Sequence, residues 1–142
     1  MILIDANLLI YASVTSTPEH REAKTWLDGR LNGESPVGIP WSSFFSFLRI
    51  VTNPRIFDPP TNPHDAWNVV EYWMDCRPVW IPLPTEKYRD VCKKLYAETA
   101  PRGNLVPDAH LAALAVEHGL ILCSTDRDFA QFPGLRWENP LR

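Results

Sequence analysis

The sequence predicts an α/β fold in which three layers (α/β/α) enclose a mainly parallel central sheet, within one domain over residues 1–142. Short, wholly apolar runs alternate with longer amphipathic stretches. This is the pattern of parallel strands that helices cover on both faces. A chain of 142 residues is also long enough to bury a core without disulfides or structural metals. No internal repeat or linker divides it.

The N-terminal third contains two predicted strands and two predicted helices. Ile2 to Ile4 is an all-apolar run, typical of a strand buried on both faces, and a helical stretch from Asn7 to Ala12 follows it. Thr17-Pro18-Glu19 has a capping residue, a proline and an acid in the order that begins a helix. Gly33 to Pro36 breaks this helix, and Val37 to Ile39 is a candidate second strand.

The middle of the chain predicts two helices, a strand and a third helix. Trp41 to Val51 is apolar around most of a helix, which indicates burial in the core or in a partner interface. Asn62-Pro63 opens a helix that extends to about Asp75. Val79 to Leu83 is a predicted strand, after which Thr85 caps a helix that runs to about Thr99.

The C-terminal part predicts one helix and one or two strands. Asp108 to His118 has a helical apolar stripe, and Gly119 terminates it. Leu120 to Cys123 is the last strong strand, and Leu135 to Trp137 is a candidate edge strand.

The composition indicates where the protein is located but does not indicate its substrate. The three cysteines are odd in number and lack CxxC spacing, so we expect free thiols in a reducing cytoplasm. The N-terminal apolar stretch is short and carries Asp5, and no other run reaches spanning length, so we expect no membrane segment. A net charge of −3 neither supports nor excludes a nucleic-acid partner, because bound metal ions and local basic residues can offset it.

Three acidic segments carry the functional prediction. Asp5 and Asp126 each follow a predicted strand, and Asp108 lies at the start of a helix. Ligands of open α/β sheets bind outside the carboxyl ends of the strands, so these acids are expected to share one crevice. Two carboxylates ~4 Å apart repel by roughly 4 kcal/mol at an effective dielectric of ~20. A cation or a bound proton must relieve that repulsion.

The chemistry predicted from these acids is metal-dependent phosphodiester hydrolysis. Carboxylates without paired histidine or cysteine suit Mg²⁺ or Mn²⁺ better than zinc, and metal-activated water is the natural nucleophile. The four histidines have no metal-ligand spacing and are interpreted as surface or packing residues. An aspartate-nucleophile phosphatase needs a second acid two residues after the first, where this chain has Asn7.

Asp5, Asp108 and Asp128 each also have a purely structural interpretation. Asp5 at a strand end can cap the next helix. Asp108 in a helix's first turn interacts favourably with the macrodipole by roughly 0.3–1 kcal/mol. Thr125 and Asp128 have the spacing of a capping pair, although glutamate or glutamine is the usual partner. Only the combination of the acids favours catalysis.

Four segments of the chain point to a known family, namely Met1–Ala12, Phe47–Arg55, Asn104–Ala115 and Ser124–Pro140. Together they resemble the PIN-domain family, specifically the VapC-type toxins of bacterial toxin–antitoxin pairs. The resemblance implies a PIN-like fold and an endoribonuclease that cuts structured RNA, such as tRNA or rRNA, with Mg²⁺ or Mn²⁺ and so inhibits translation. It also implies a homodimer that is silenced by a VapB-type antitoxin, whose tail enters the active-site groove.

The resemblance also assigns roles to residues. Asp5, Asp108 and Asp126 match the metal-site acids of the family, with Asp128 as an auxiliary catalytic acid. It further implies that two neighbouring polar residues support the carboxylates through hydrogen bonds, namely Asn7 and Thr125.

One position departs from the family pattern. Many PIN domains carry a glutamate where this chain has Ser46. Losing one carboxylate lowers the negative charge of the site, so one-ion and two-ion sites both stay open. The alternative function is a catalytically weakened PIN domain that acts through RNA or antitoxin binding. Arg49, three residues later, is a candidate to hold substrate phosphate or to pair with an acid in the core.

Overall fold

A computed structural model describes all 142 residues. Five strands form one sheet: β1 (Ile2–Ile4), β2 (Val37–Gly38), β3 (Val79–Trp80), β4 (Ile121–Cys123) and β5 (Arg136–Glu138). Six α-helices surround it: α1 (Ala6–Ser13), α2 (His20–Leu31), α3 (Trp41–Val51), α4 (Pro63–Asp75), α5 (Tyr88–Thr99) and α6 (Leu105–His118). A short 3₁₀ helix, Arg127–Gln131, connects β4 to β5. None of the helices is both long and apolar enough to cross a bilayer.

The sheet is entirely parallel, with strand order β3-β2-β1-β4-β5. Strand β1 lies in the middle of the sheet, with β2 and β3 on one side of it and β4 and β5 on the other. The strand order therefore reverses between β1 and β4. A crevice opens at such a switch point, outside the carboxyl ends of the two strands. The predicted α/β/α class with a mainly parallel sheet is confirmed.

Both faces of the sheet are covered. Ile2 and Ile4 of β1 point into one core with helices α1 to α4, and Leu3 points into a second core with α5 and α6. All three side chains are buried. Alternate side chains of a strand point to opposite faces, so an all-apolar run is what a doubly covered strand requires.

Several element boundaries differ from the predicted ones. The prediction that Thr17 caps α2 is wrong, because its hydroxyl donates to the carbonyl oxygen of Val14 (2.8 Å) and the helix begins only at His20. Thr85 precedes α5 by three residues, and its hydroxyl accepts a hydrogen bond from the Lys87 amide (3.1 Å) in the turn before the helix. Helix α6 begins at Leu105, earlier than predicted, since Pro107 is tolerated within the first turn.

Gly38 in β2 allows the sheet to pack closely, which gives a stability prediction. A Cβ at this position would lie 2.8 Å from Pro82 Cγ and 3.2 Å from the Ile2 carbonyl oxygen. Gly38→Ala is expected to lower the free energy of unfolding by about 1–3 kcal/mol. The matched control is Gly29→Ala on the exposed face of α2, where nothing lies within 4 Å. That change should stabilise the protein by about 0.5–1 kcal/mol. Urea unfolding measures both, and equal effects would contradict the packing argument.

Candidate metal centre

The first acid lies at the switch point of the sheet. Asp5 directly follows β1, and its amide donates to the carbonyl oxygen of Cys123 at the end of β4 (3.0 Å). Its Oδ1 accepts a hydrogen bond from the Ala6 amide (2.8 Å), so Asp5 is also the N-cap of α1. The capping and site interpretations of this residue are thus compatible.

Ser124 connects the two strand ends. It is completely buried, and its hydroxyl donates to Asp5 Oδ2 (2.7 Å). The same oxygen of Ser124 accepts hydrogen bonds from Asn7 Nδ2 and from the Asp126 amide, both at 3.0 Å. One hydroxyl therefore fixes the orientation of the Asp5 carboxylate and the position of the Asp126 backbone.

Two further acids come from the segment after β4. Asp126 is the N-cap of the 3₁₀ helix, and its Oδ1 accepts a hydrogen bond from the Asp128 amide (2.9 Å). The Thr125–Asp128 capping pair considered from the sequence is therefore not the one that forms. Asp128 itself is exposed, with one long contact at 3.5 Å from Gln131 Nε2.

The fourth acid, Asp108, comes from the first turn of α6. One carboxylate oxygen from each of Asp108, Asp126 and Asp128 lies within 4.8 Å of the other two. Unlike Asp5 and Asp126, Asp108 receives no hydrogen bond and forms no ion pair. Its carboxylate faces other acids without a donor to balance its charge.

The electrostatics of the site follow from this crowding. Burial is the largest cause that raises the pKa of Asp108 to about 6, and the charges of Asp126, Asp5 and Asp128 contribute in that order. Burial also raises the pKa of Asp5, while the hydrogen bonds from Ser124 and Ala6 oppose the increase. The site therefore favours an additional positive charge, either a proton or a metal ion.

The donor set fits a hard divalent cation. All the clustered groups are carboxylates, and Asp108 has no protein donor. In addition, Asn7 donates through Nδ2 to Ser124, while its Oδ1 is buried and accepts no hydrogen bond, so this oxygen is available to a water or an ion. Oxygen donors of this kind suit Mg²⁺ or Mn²⁺. The three acids whose oxygens form this group are Asp108, Asp126 and Asp128. The sequence predicted Asp5 as the third member, and the structure has Asp128 there.

The PIN-domain family model matches residues 2–135. The chain belongs to the PIN-domain family. It is 37% identical over 140 residues to Ribonuclease VapC37 of Mycobacterium tuberculosis, a match covering 99% of this chain and 97% of the relative. This places it among the VapC proteins, and the predicted family is confirmed.

Solved structures agree on the fold of this PIN domain. The VapBC-1 structure from nontypeable Haemophilus influenzae superposes with a TM-score of 0.71 at 16% identity, over 99% of this chain and 98% of the other. A toxin–antitoxin complex from Klebsiella pneumoniae superposes with a TM-score of 0.63 at 19% identity, over 99% and 98%.

The predicted supporting residues of the PIN domain differ in whether they reach the acids. Asn7 reaches the Asp5 carboxylate through Ser124 and not directly. Thr125 makes no hydrogen bond to any of the acids, and the supporting hydroxyl belongs to Ser124. Arg49 is exposed in the last turn of α3 and contacts none of the acids. Ser46 is partly buried one turn before it, so α3 contributes no carboxylate at this position.

Sequence reasoning missed Ser124, although a signal for it existed. Ile4 pairs with Cys123 across β1 and β4, so the next residues on each strand, Asp5 and Ser124, come side by side. Without the register of these two strands, Ser124 and Thr125 are equally plausible partners for Asp5. The register depends on contacts between residues more than a hundred positions apart, which a local pattern does not contain.

Proposed function

We propose that this PIN domain is a divalent-metal-dependent endoribonuclease, the toxin of a VapBC pair. The observation that carries the proposal is the acid cluster at the switch point, where Asp108 lacks any donor and its pKa is raised to about 6. The names of the curated relatives, VapC ribonucleases, support the same activity.

The chain's own residues have distinct roles in this proposal. Asp108 and Asp126 hold the ion, with Asp5 and Asp128 completing its surroundings. The bound ion supplies a Lewis acid that neutralises charge on the scissile phosphate and lowers the pKa of water. Ser124 orients Asp5, and the cap formed by Asp126 fixes the turn that carries Asp128.

The number of ions depends on α3. With Ser46 in place of an acid, the carboxylates of β1, α6 and the β4–β5 connection support one ion better than two. Arg49 shares a face of α3 with Ser46, since it lies three residues further along the helix. Its proposed role is to hold a substrate phosphate.

The proposal extends to substrate and partners. The substrate is structured RNA, tRNA or rRNA, cut in the cytoplasm. A VapB-type antitoxin covers the cleft, in keeping with the toxin–antitoxin complexes that share this fold. The active form is a homodimer, for which the exposed aromatic side chains of α3, Trp41 and Phe45, offer an apolar surface.

A cleavage assay tests the proposed function. Purified protein incubated with total tRNA or rRNA in Mg²⁺ or Mn²⁺ should produce discrete fragments with 5′-phosphate and 3′-hydroxyl ends, because water is the nucleophile. EDTA should abolish the fragments. Ends with 2′,3′-cyclic phosphate would contradict the proposal, since they arise when the ribose hydroxyl attacks without metal-activated water.

The second candidate, a weakened PIN domain that binds without cutting, is favoured by the serine at position 46. RNA binding without fragments in either metal would support it. Ser46→Glu is the informative variant, because a restored acid should then produce cleavage that the wild-type protein lacks.

A further inference from the structure

The metal centre faces an electrostatic problem when its substrate is RNA. Four aspartates meet at the carboxyl edge of the sheet, and the chain as a whole carries a net charge of −3. One divalent ion offsets only part of the local negative charge. A polyanion approaching this cleft needs additional cations close to it, because phosphate contacts supply most of the affinity of proteins for nucleic acids.

Two arginines lie on the chain segments that carry the clustered acids. Arg102 is in the turn before α6, where its carbonyl oxygen accepts a hydrogen bond from the Leu105 amide (3.0 Å). Arg127 lies between Asp126 and Asp128, at the start of the 3₁₀ helix. Both side chains are exposed. One arginine therefore precedes the helix that carries Asp108, and the other lies in the connection that carries Asp126 and Asp128.

Neither arginine is used to stabilise the fold. The one ion pair of the structure joins Lys24 and Asp28 on α2, far from the cleft in sequence and on another element. Arg136, in contrast, donates to the carbonyl oxygen of Gly119 (2.7 Å) and is engaged. Arg102 and Arg127 make no side-chain hydrogen bond or ion pair, even though Arg127 is flanked by two acids.

We propose that Arg102 and Arg127 form a cationic rim that binds the RNA phosphates on either side of the scissile bond. The planar guanidinium donates two parallel hydrogen bonds to a phosphate, which a solvated lysine does not match. This inference rests on the proposed ribonuclease function and adds the residues that hold its substrate over the acids.

Salt-dependent RNA binding tests the rim without requiring cleavage. A fluorescein-labelled RNA hairpin is titrated in EDTA, by fluorescence anisotropy, at KCl concentrations from about 50 to 200 mM. Arg102→Gln and Arg127→Gln are each expected to weaken binding about three- to tenfold, and to reduce the slope of log affinity against log salt by about 0.7–0.9. The double variant should lose both contributions. Arg102→Lys and Arg127→Lys should keep most of the slope because the charge remains.

The matched control is Arg77→Gln. Arg77 is also exposed and free of ion pairs, but it precedes β3 at the amino edge of the sheet, opposite the acids. Its substitution removes the same charge, so it should leave the slope unchanged if the rim is local. An equal loss in the control, unchanged slopes in both rim variants, or no RNA binding by the wild-type protein would overturn the rim.

Cleavage by the wild-type protein in Mn²⁺ is scored separately. If the wild-type protein cleaves RNA and the arginine variants keep its salt-dependence slope, the cationic rim is contradicted and the ribonuclease function is supported. If the arginine variants reduce the salt-dependence slope but the wild-type protein never cleaves RNA, the rim is supported as an RNA contact and the ribonuclease function is contradicted.

Discussion

Asp108→Asn is expected to abolish RNA cleavage and, in metal-free buffer, to raise the melting temperature. The activity is expected to fall because the variant loses a ligand of the proposed ion, whose transition-state stabilisation of several kcal/mol would correspond to roughly a thousandfold in rate. The stability rises because Asp108 receives no donor and repels Asp126, Asp5 and Asp128. A neutral amide removes that repulsion, by an amount that should appear as roughly 2–5 °C in the melting temperature.

The stabilisation by Asp108→Asn should depend on pH in a definite direction. The pKa of Asp108 is raised from 3.8 to about 6, so the folded state binds its proton more tightly than the unfolded state. The contribution of this proton to stability is present below pH 3.8 and is lost as the pH rises to about 6. In EDTA, the stabilisation by Asp108→Asn should therefore be larger at pH 7 than at pH 4. Differential scanning calorimetry at both values measures this.

Added Mn²⁺ should reverse the order of stability. An ion that binds only the folded wild-type protein, as proposed, would stabilise it by about 2.7 kcal/mol at a hundredfold excess over its dissociation constant. The Asp108→Asn variant should gain less, because it offers the ion one carboxylate fewer. A variant that is less stable than the wild type in EDTA would contradict the repulsion on which this argument depends.

Ser124→Ala is expected to cause the largest loss of stability at the site. It removes the donor to Asp5 and the acceptor of the Asn7 amide and the Asp126 amide, all inside a completely buried position. Unsatisfied groups of this kind cost about 1–3 kcal/mol each, and structural relaxation recovers part of that. We expect a loss of about 2–4 kcal/mol in the free energy of unfolding, together with a roughly 10- to 100-fold weaker metal affinity.

The neighbouring residue is the control for Ser124. Thr125→Ala removes a hydroxyl one position away that makes no hydrogen bond to the acids, so stability should change by less than about 0.5 kcal/mol. Urea unfolding and calorimetric titration with Mn²⁺ measure the two variants side by side. Equal effects, or a larger effect of Thr125→Ala, would show that the hydroxyl of Ser124 does not organise the site.

The fold was predictable because its determinants are local. Ile2 to Ile4 is apolar at every position, and a strand with that pattern must be covered on both sides, as β1 is. Asp5 and Asp126 each follow a strand, and because the two strands are parallel, both acids lie at the same edge of the sheet. Helix starts were less predictable, since the hydroxyl of Thr17 bonds back to Val14 and not forward into α2.

The details of the site required the tertiary structure. Whether Ser124 or Thr125 supports Asp5 depends on the pairing of Ile4 with Cys123, which joins the two ends of the chain. Likewise, Asp128 enters the closest group of acids because the 3₁₀ helix capped by Asp126 turns it toward Asp108. The sequence pattern assigned it an auxiliary place, since a two-residue spacing does not fix the direction of either side chain.

We propose above that carboxylates at the β1–β4 switch point bind a divalent ion. A crystal soaked in Mn²⁺, with data collected at the manganese absorption edge, tests it most directly. We expect an anomalous peak within about 2.0–2.3 Å of oxygens from Asp108 and Asp126, absent from crystals of Asp108→Asn. A wild-type crystal with ordered density for these aspartates and no anomalous peak between them would contradict the account.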